Sequence, residues 1–76
     1  MRSLPTISEG DQRHEVVRRA QALVNAALHT DPPIAEDGAF GPRTVQRIEV
    51  VQHQHGLHVD GIVGPVTWTV LVTGAI

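Results

Sequence analysis

The chain lacks most of the residues that strengthen small domains. It has 76 residues, no cysteine and no lysine, and its aromatic residues are only Phe40 and Trp68. Without cysteine there is neither a disulfide nor a thiolate metal site. A core of this size supplies only about 3–5 kcal/mol of net stability. We therefore expect one small domain that needs its few large side chains inside.

Charge and hydropathy exclude several classes of partner. The formal net charge is −2, from six arginines against eight acids, whereas nucleic-acid-binding domains carry a basic patch. No apolar run approaches the roughly 20 residues that span a bilayer. The first eleven residues contain one arginine and no apolar stretch, so they do not resemble a signal peptide. We expect no nucleic acid, no membrane and a monomeric domain.

The first predicted helix runs from Asp11 to His29, after an arm formed by residues 1–9. Ser8 or Asp11 is expected to cap its start. Gln21 and Asn25 are expected to lie off the apolar face, and the domain proper is expected to span residues 10–76. The apolar residues at helical spacing are Val16, Val17, Ala20, Leu23, Val24, Ala27 and Leu28.

A second helix is predicted from Pro42 to His55. It follows the segment TDPPIAEDGAFGP, whose paired prolines and Asp-Gly indicate a loop. Pro42 suits the first helical position, where a missing N–H costs nothing. Gly56 is placed to end the helix in a left-handed conformation.

An eight-residue motif occurs twice. DGAFGPRT at residues 37–44 matches DGIVGPVT, which begins 23 residues later. In each copy Asp-Gly predicts a tight turn, two apolar residues anchor it in the core, and Gly-Pro opens a helix. The residues with these structural roles are Asp37, Gly38, Phe40, Gly41 and Pro42 in the first copy, and Asp60, Gly61, Ile62, Gly64, Pro65 and Trp68 in the second.

The repeat decides the conformation of the last segment. Valine and threonine alternate in PVTWTVLVTG, which locally favours a strand. Because the first copy leads into a helix, we predict a helix over residues 65–73 instead. The fold class is then all-α, a small three-helix bundle with two repeated Asp-Gly/Gly-Pro turn–helix units.

Three histidines near the second turn raise the question of a metal. Zinc needs ligands that converge on one point. His53 and His55 are two residues apart and would point about 200° away from each other on a helix, while His58 lies in the turn beyond. We expect no metal and no other cofactor. His55 is then a residue that caps or packs at the helix end, and His53 is exposed.

No catalytic set stands out in the sequence. The only serines, Ser3 and Ser8, lie in the arm, which lacks the rigidity that a nucleophilic triad needs. Asp37 and Asp60 read as turn residues rather than as a pair of catalytic carboxylates. We expect no enzyme activity.

The chain resembles the bacterial peptidoglycan-binding domains of the type 1 superfamily. The resemblance rests on two glutamines after core residues and on the two Asp-Gly/Gly-Pro motifs. It extends from about residue 10 to residue 71, and GLHVDGIVGPVTW at residues 56–68 is its most specific part. The chain departs from the family pattern at Ala20, Val51 and Val66, where leucine, phenylalanine and a polar or basic residue are usual.

This resemblance implies a non-catalytic module that binds the cell wall beside a hydrolase, in the cell envelope or outside the cell. Either the glycan strand or the stem peptide is its expected ligand. A protein–protein interaction or structural module with the same fold is the alternative. Trp68 is expected either to lie in the core or to offer a flat apolar face to a sugar ring. The candidate ligand-binding residues are Asp37, Arg43, Thr44, Arg47, Gln52 and Trp68.

Overall fold

Three α-helices make up the regular structure of the chain. The computed structural model describes residues 4–74, with α1 at His14–Leu28, α2 at Pro42–Gln54 and α3 at Pro65–Thr73. Within that range, Ile7 and Val63 form one isolated antiparallel β-bridge. The all-α prediction is confirmed, and α3 has the predicted bounds despite its strand-like composition. None of the helices in residues 4–74 has the length and apolar character to cross a membrane.

The start of α1 differs from the prediction. The helix begins at His14 rather than Asp11, and the preceding Arg13 is not helical, with φ −81° and ψ 76°. Asp11 accepts the Arg13 backbone N–H at 2.9 Å and pairs with its guanidinium at 2.6 Å. These bonds to Arg13 lower the pKa of Asp11 to about 2. Asp11 therefore holds the turn before the helix instead of capping the helix itself.

The end of α2 follows the prediction. Gly56 has φ +68°, and its N–H donates to the carbonyl of His53 at 3.2 Å. The next N–H, of Leu57, donates to the carbonyl of Gln52 at 2.8 Å. This pair of bonds is the Schellman motif, which needs a left-handed residue and therefore favours glycine.

The core lies where α1 contacts both α2 and α3. Ile7 of the N-terminal arm is buried in it, and Trp68 donates its indole N–H to the carbonyl of Pro5 at 2.8 Å. The predicted arm and domain also include residues 1–3 and 75–76, which lie outside the described residues. The buried apolar side chains are Ile7, Val17, Ala20, Val24, Ile34, Phe40, Ile48, Val51, Val63, Trp68, Val70 and Leu71.

Four side chains lie on the opposite side from the one predicted, among them Ala39, which is exposed although its motif pair was expected to anchor the turn in the core. Gln21 is buried although it was assigned to the polar face of α1, and Ala27 is exposed although it was assigned to the apolar face. Ile62 is 39% exposed, because only the second apolar residue of each motif, Phe40 or Val63, enters the core. Adjacent residues in extended backbone point to opposite sides, so the pair cannot anchor the turn together.

Candidate functional site

The two Asp-Gly/Gly-Pro motifs form two shallow open grooves of the same design. The first groove, about 360 Å³, follows the turn before α2, and the second groove, about 270 Å³, follows the turn before α3. Six motif positions line both. They are Asp37, Ala39, Gly41, Pro42, Arg43 and Thr44 in the first groove, and Asp60, Ile62, Gly64, Pro65, Val66 and Thr67 in the second.

A buried glutamine lies at the base of the first groove. Gln21 is 1% exposed, and its Nε2 donates to the carbonyl of Ala39 at 2.9 Å and to Thr44 Oγ1 at 3.0 Å. The same nitrogen lies 3.3 Å from Asp37 Oδ1, and the side-chain oxygen accepts the N–H of Gly38 at 2.9 Å. A buried amide is tolerated when its donors and acceptor are all satisfied. Gln21 therefore ties α1 to the turn and to the start of α2.

A second buried glutamine repeats this arrangement. Gln52, also 1% exposed, donates from Nε2 to Asp60 Oδ1 and to the carbonyl of Ile62, both at 2.9 Å, and to Thr67 Oγ1 at 3.3 Å. Its oxygen accepts the N–H groups of Asp60 at 3.1 Å and Gly61 at 3.0 Å. The two grooves thus have equivalent supports, one from α1 and one from α2.

The aspartate of each motif holds its own turn. Asp37 Oδ1 accepts the N–H of Ala39, and Asp60 Oδ1 accepts the N–H of Ile62, each at 2.9 Å. These backbone bonds are the main cause of the lowered pKa of both carboxyls, and the amide of Gln21 or Gln52 adds to the shift. Both aspartates are therefore ionised at neutral pH.

The glycine after each aspartate is required by its conformation. Gly38 has φ +78° and Gly61 has φ +71°, where a residue with a side chain is strained. A Cβ on Gly38 would lie 2.9 Å from the backbone oxygen of His14, and a Cβ on Gly61 would lie 2.9 Å from Val45 Cγ1. The turns thus pack closely on α1 and α2.

The outer parts of the grooves differ. Arg43 is exposed at the edge of the first groove, whereas its counterpart in the second is Val66, which is 61% exposed. The remaining wall of the first groove is residues 33–35, and that of the second is Leu57 and His58. The chemistry that a ligand meets therefore differs between the two grooves, although their supports are the same.

The six candidate ligand-binding residues do not converge on one site. Asp37, Arg43 and Thr44 line the first groove, Gln52 lines the second, and Arg47 lines neither. The side chains of Thr44, Gln52 and Trp68 are buried, since they hold the turns and the core together. Among the six, Asp37 and Arg43 are exposed and Arg47 is half-buried.

Sequence reasoning missed two residues that shape the first groove. Gln21 was matched to Gln52 by position but not recognised as buried. Asn25 Nδ2 donates to the carbonyl of Ile34 at 2.9 Å, and Asn25 Oδ1 accepts the N–H of Ile34 at 3.0 Å. Asn25 therefore holds the outer wall of the first groove in place. The two glutamines occupy similar places in the sequence, each after a core residue, but Gln52 was itself expected to bind the ligand, so the match did not indicate burial.

The histidines do not form a cluster. His53 and His58 are exposed, and His55 follows the last residue of α2 as its C-terminal cap. Across residues 4–74 there is no group of three histidine, cysteine, aspartate or glutamate side chains placed to hold a metal ion. His55 Nδ1 is buried without a hydrogen-bond partner.

The fold and its paired grooves define a small all-α module built on two turn–helix units. Residues 13–71 match the family model described as a putative peptidoglycan-binding domain. Because this match covers most of the chain, the protein belongs to the peptidoglycan-binding domain family.

Two relatives and one solved structure share this domain. The chain is 38% identical over 69 residues to an uncharacterised protein of Kitasatospora aureofaciens, and 41% identical over 63 residues to the zinc D-Ala-D-Ala carboxypeptidase of Streptomyces albus G. These alignments cover 91% and 83% of the chain but only 57% and 24% of the relatives.

The structural match is to a peptidoglycan-binding protein from Clostridioides difficile, crystallised in complex with glutamine hydroxamate. The TM-score is 0.79 at 30% identity, and the match covers 93% of the chain and 42% of that protein. The chain therefore corresponds to one part of longer proteins.

Proposed function

We propose that the domain is a non-catalytic module that binds peptidoglycan and holds an attached or partner hydrolase at the cell wall. Membership of the peptidoglycan-binding family over residues 13–71 is the observation that carries this proposal. The open, shallow grooves suit weak binding to a polymer with many equivalent sites. Weak binding by each module is sufficient when tethering makes the second contact intramolecular. The corresponding location is the cell envelope or the space outside the cell.

The ionisation of the groove carboxylates supports the non-catalytic part of the proposal. A glycosidase acid is kept protonated by a raised pKa. Asp37 and Asp60 have lowered pKa values, because their oxygens accept backbone N–H groups of the turns. Each is thus suited to hold a turn and unsuited to donate a proton at neutral pH.

The association with a hydrolase is supported by one relative. The chain matches 24% of a zinc D-Ala-D-Ala carboxypeptidase, so most of that enzyme lies outside the shared domain. We infer that the domain serves a similar catalytic partner by raising its concentration near the wall.

A protein–protein interaction module is the second candidate. Three apolar side chains in or next to the second turn–helix unit are exposed: Val59 at 44%, Ile62 at 39% and Val66 at 61%. Neighbouring apolar residues on a surface favour contact with another protein. The same chain would then dock onto a protein surface instead of the wall.

Sedimentation with insoluble peptidoglycan separates the two candidates. We expect the purified domain to pellet with purified sacculi, less completely at high salt, and to remain in the supernatant with cellulose. Soluble muropeptides should release it. The proposal fails if the domain stays in the supernatant with sacculi but binds a cell-wall hydrolase directly.

The non-catalytic part has its own test. The domain alone should leave the turbidity of a wall suspension unchanged over hours, with a muramidase as the positive control. A fall in turbidity caused by the domain alone would show that it is an enzyme.

A further inference from the structure

We propose that the first groove recognises the peptide part of peptidoglycan, through a ligand carboxylate on Arg43 and a ligand ammonium or amide N–H on Asp37. This inference rests on the proposed function and specifies the ligand of the same surface. It assigns the carboxylate-binding role to the first groove and not to the second.

The first groove offers no exposed aromatic face for a sugar ring. Phe40 and Trp68 are the chain's only aromatic residues of the Phe, Tyr and Trp type, and each is 3% exposed. Binding to the apolar face of a sugar usually relies on such rings, which combine a flat surface with little conformational entropy. The glycan strand, which is built from sugars, therefore finds no aromatic ring to stack on in the first groove, whereas the second groove carries the exposed imidazole of His58.

Arg43 is an exposed cation without an ion-pair partner. Within residues 4–74, Asp11 and Arg13 form the one ion pair between side chains, and Arg43 takes no part in it. Arg43 also borders a depression that contains Glu9 and Glu49, but neither forms an ion pair with it. The first turn of α2 holds no acidic residue, so this cation lies unneutralised near the positive end of the helix dipole.

That position is slightly unfavourable for the fold, since cations stabilise the other end of a helix. An arginine fork matches the geometry of a carboxylate and binds it through two parallel hydrogen bonds. Recognition of an anionic group gives Arg43 a role that its contacts within the chain do not supply.

Asp37 supplies the opposite charge in the same groove. Its Oδ1 accepts the N–H of Ala39 and the amide of Gln21, whereas no bond within the described residues uses Oδ2. The exposed side chains of Pro33 and Ala35 complete the wall beside it. One cation, one carboxylate oxygen and an apolar wall fit a short peptide with a free carboxylate, an amino group or N–H, and small apolar side chains.

The peptides of peptidoglycan have this chemistry, since they combine free carboxylates with the methyl groups of alanine. The second groove serves as an internal comparison. It has the same buried glutamine, turn aspartate and threonine, but Val66 replaces Arg43. It therefore lacks the fixed cation that a carboxylate needs.

The test is a titration of the isotope-labelled domain, followed by the NMR shifts of its backbone amides. The probes are a stem tetrapeptide, the same peptide with its carboxylates amidated, and a tetramer of β-1,4-linked N-acetylglucosamine. We expect the free tetrapeptide to shift amides between residues 33 and 44. Amidation should weaken binding by roughly 10- to 100-fold, the value of a charge-assisted hydrogen bond. The sugar tetramer should leave these amides unmoved.

Variants at one position separate recognition from folding. Arg43→Val places in the first groove the residue type that the second groove has at the same position, Val66. It should weaken peptide binding by roughly 10- to 100-fold. Arg43→Lys keeps the positive charge and should retain part of the affinity. Arg19→Val is the matched control, because Arg19 is exposed on α1 and lines neither groove. Unchanged peptide affinity in Arg43→Val, with a dispersed spectrum that shows a folded domain, would overturn the proposal.

The same samples distinguish failure of this inference from failure of the proposed function. If the wild-type domain sediments with sacculi but the sugar tetramer, not the peptide, shifts residues 33–44, the inference is wrong and wall binding stands. If the wild-type domain does not sediment with sacculi, wall binding itself is wrong, and the peptide assignment falls with it.

Discussion

The two turn–helix units of this domain are alike on the inside and different on the outside. In each, a buried glutamine amide bonds to the aspartate, to a backbone carbonyl and to the threonine of one motif. At the exposed edge, Arg43 in the first unit corresponds to Val66 in the second. The letters that the two motifs share hold the turns and line both grooves, whereas the letters that differ set the charge at the edge of each groove.

The units also differ in how their glutamines and glycines are held. Gln21 makes four hydrogen bonds, but Gln52 makes five, because its oxygen accepts the N–H groups of both Asp60 and Gly61. Gly38 faces the backbone of α1, whereas Gly61 faces a side chain of α2. These differences predict that equivalent substitutions will have unequal effects.

The largest effect is expected at the glutamines. Gln21→Leu and Gln52→Leu each leave buried backbone groups without partners, which should lower the free energy of unfolding by about 2–4 kcal/mol. Gln52→Leu should cost about 1 kcal/mol more, because one more N–H loses its acceptor. Urea unfolding followed by Trp68 fluorescence measures both, and loss of the folded baseline counts as the upper end of the range.

Gln54→Ala is the control for these variants, since Gln54 is exposed at the end of α2. Its effect should stay within about 0.5 kcal/mol. If Gln52→Leu costs no more than Gln54→Ala, the buried amide is not what holds the second turn.

The glycines should give the next largest effect. Gly38→Ala is expected to cost about 2–3 kcal/mol, since the new Cβ meets a backbone oxygen that cannot move without α1. Gly61→Ala should cost about 1–2 kcal/mol, because the Val45 side chain can rotate away. Thermal or urea unfolding provides the comparison.

Gly74→Ala isolates backbone strain from steric overlap. Gly74 has φ +67°, but a Cβ there would meet no atom within 4 Å apart from those of its two neighbours in the chain. Its cost should be about 1 kcal/mol. An equal cost at all three glycines would mean that the close contacts with His14 and Val45 carry no energy.

A smaller effect is expected at the threonines. Thr44→Val and Thr67→Val each remove one buried hydrogen bond, which should cost about 1 kcal/mol. Thr44→Val should cost at least as much as Thr67→Val, because its oxygen lies 3.0 Å from the amide donor against 3.3 Å. The opposite order in urea unfolding would show that these distances do not rank the bonds.

The smallest effect concerns pH. The pKa of Asp37 and of Asp60 lies below the usual 3.8 in the folded chain, chiefly because each accepts a backbone N–H. Their contribution to stability is complete above the unfolded pKa and is lost as pH falls through the folded value. Stability should therefore decrease below about pH 4.

Asp37→Asn and Asp60→Asn should make stability less dependent on pH below about pH 4 and should also lower it at pH 7, because asparagine keeps an acceptor oxygen but lacks the charge that the turn stabilises. Urea midpoints between pH 2 and pH 6 give the measurement. Asp31→Asn, outside both turns, is the control. If Asp37→Asn, Asp60→Asn and Asp31→Asn lose stability equally steeply as pH falls, the hydrogen bonds within the turns are not the cause of the loss.

The order of the three helices and most of their ends could be predicted from the sequence, because their causes are local. Proline at the first position of α2 and of α3, and glycine after α2, mark helix ends through their own backbone preferences. The start of α1 was not predicted, because Asp11 bonds to Arg13 and the Arg13 guanidinium reaches the carbonyl of Thr6.

The candidate site was only partly accessible. Asp37 and Arg43 were named from the sequence and are exposed together in the first groove. Gln21 was assigned to the polar face, because a polar residue in a helix is normally solvated. Its burial depends on partners 16 to 23 residues away that converge on one amide.

The sequence by itself thus determined the two motif turns, the starts of α2 and α3 and the helical conformation of α3, since each follows from a short motif and its repetition. Only the tertiary structure decided which polar side chains are inside and which are at a groove. Trp68 shows the reason most clearly: its indole N–H bonds to the carbonyl of Pro5, 63 residues away. Such a contact exists only after α3 and the N-terminal segment have packed on α1, and no local pattern encodes it.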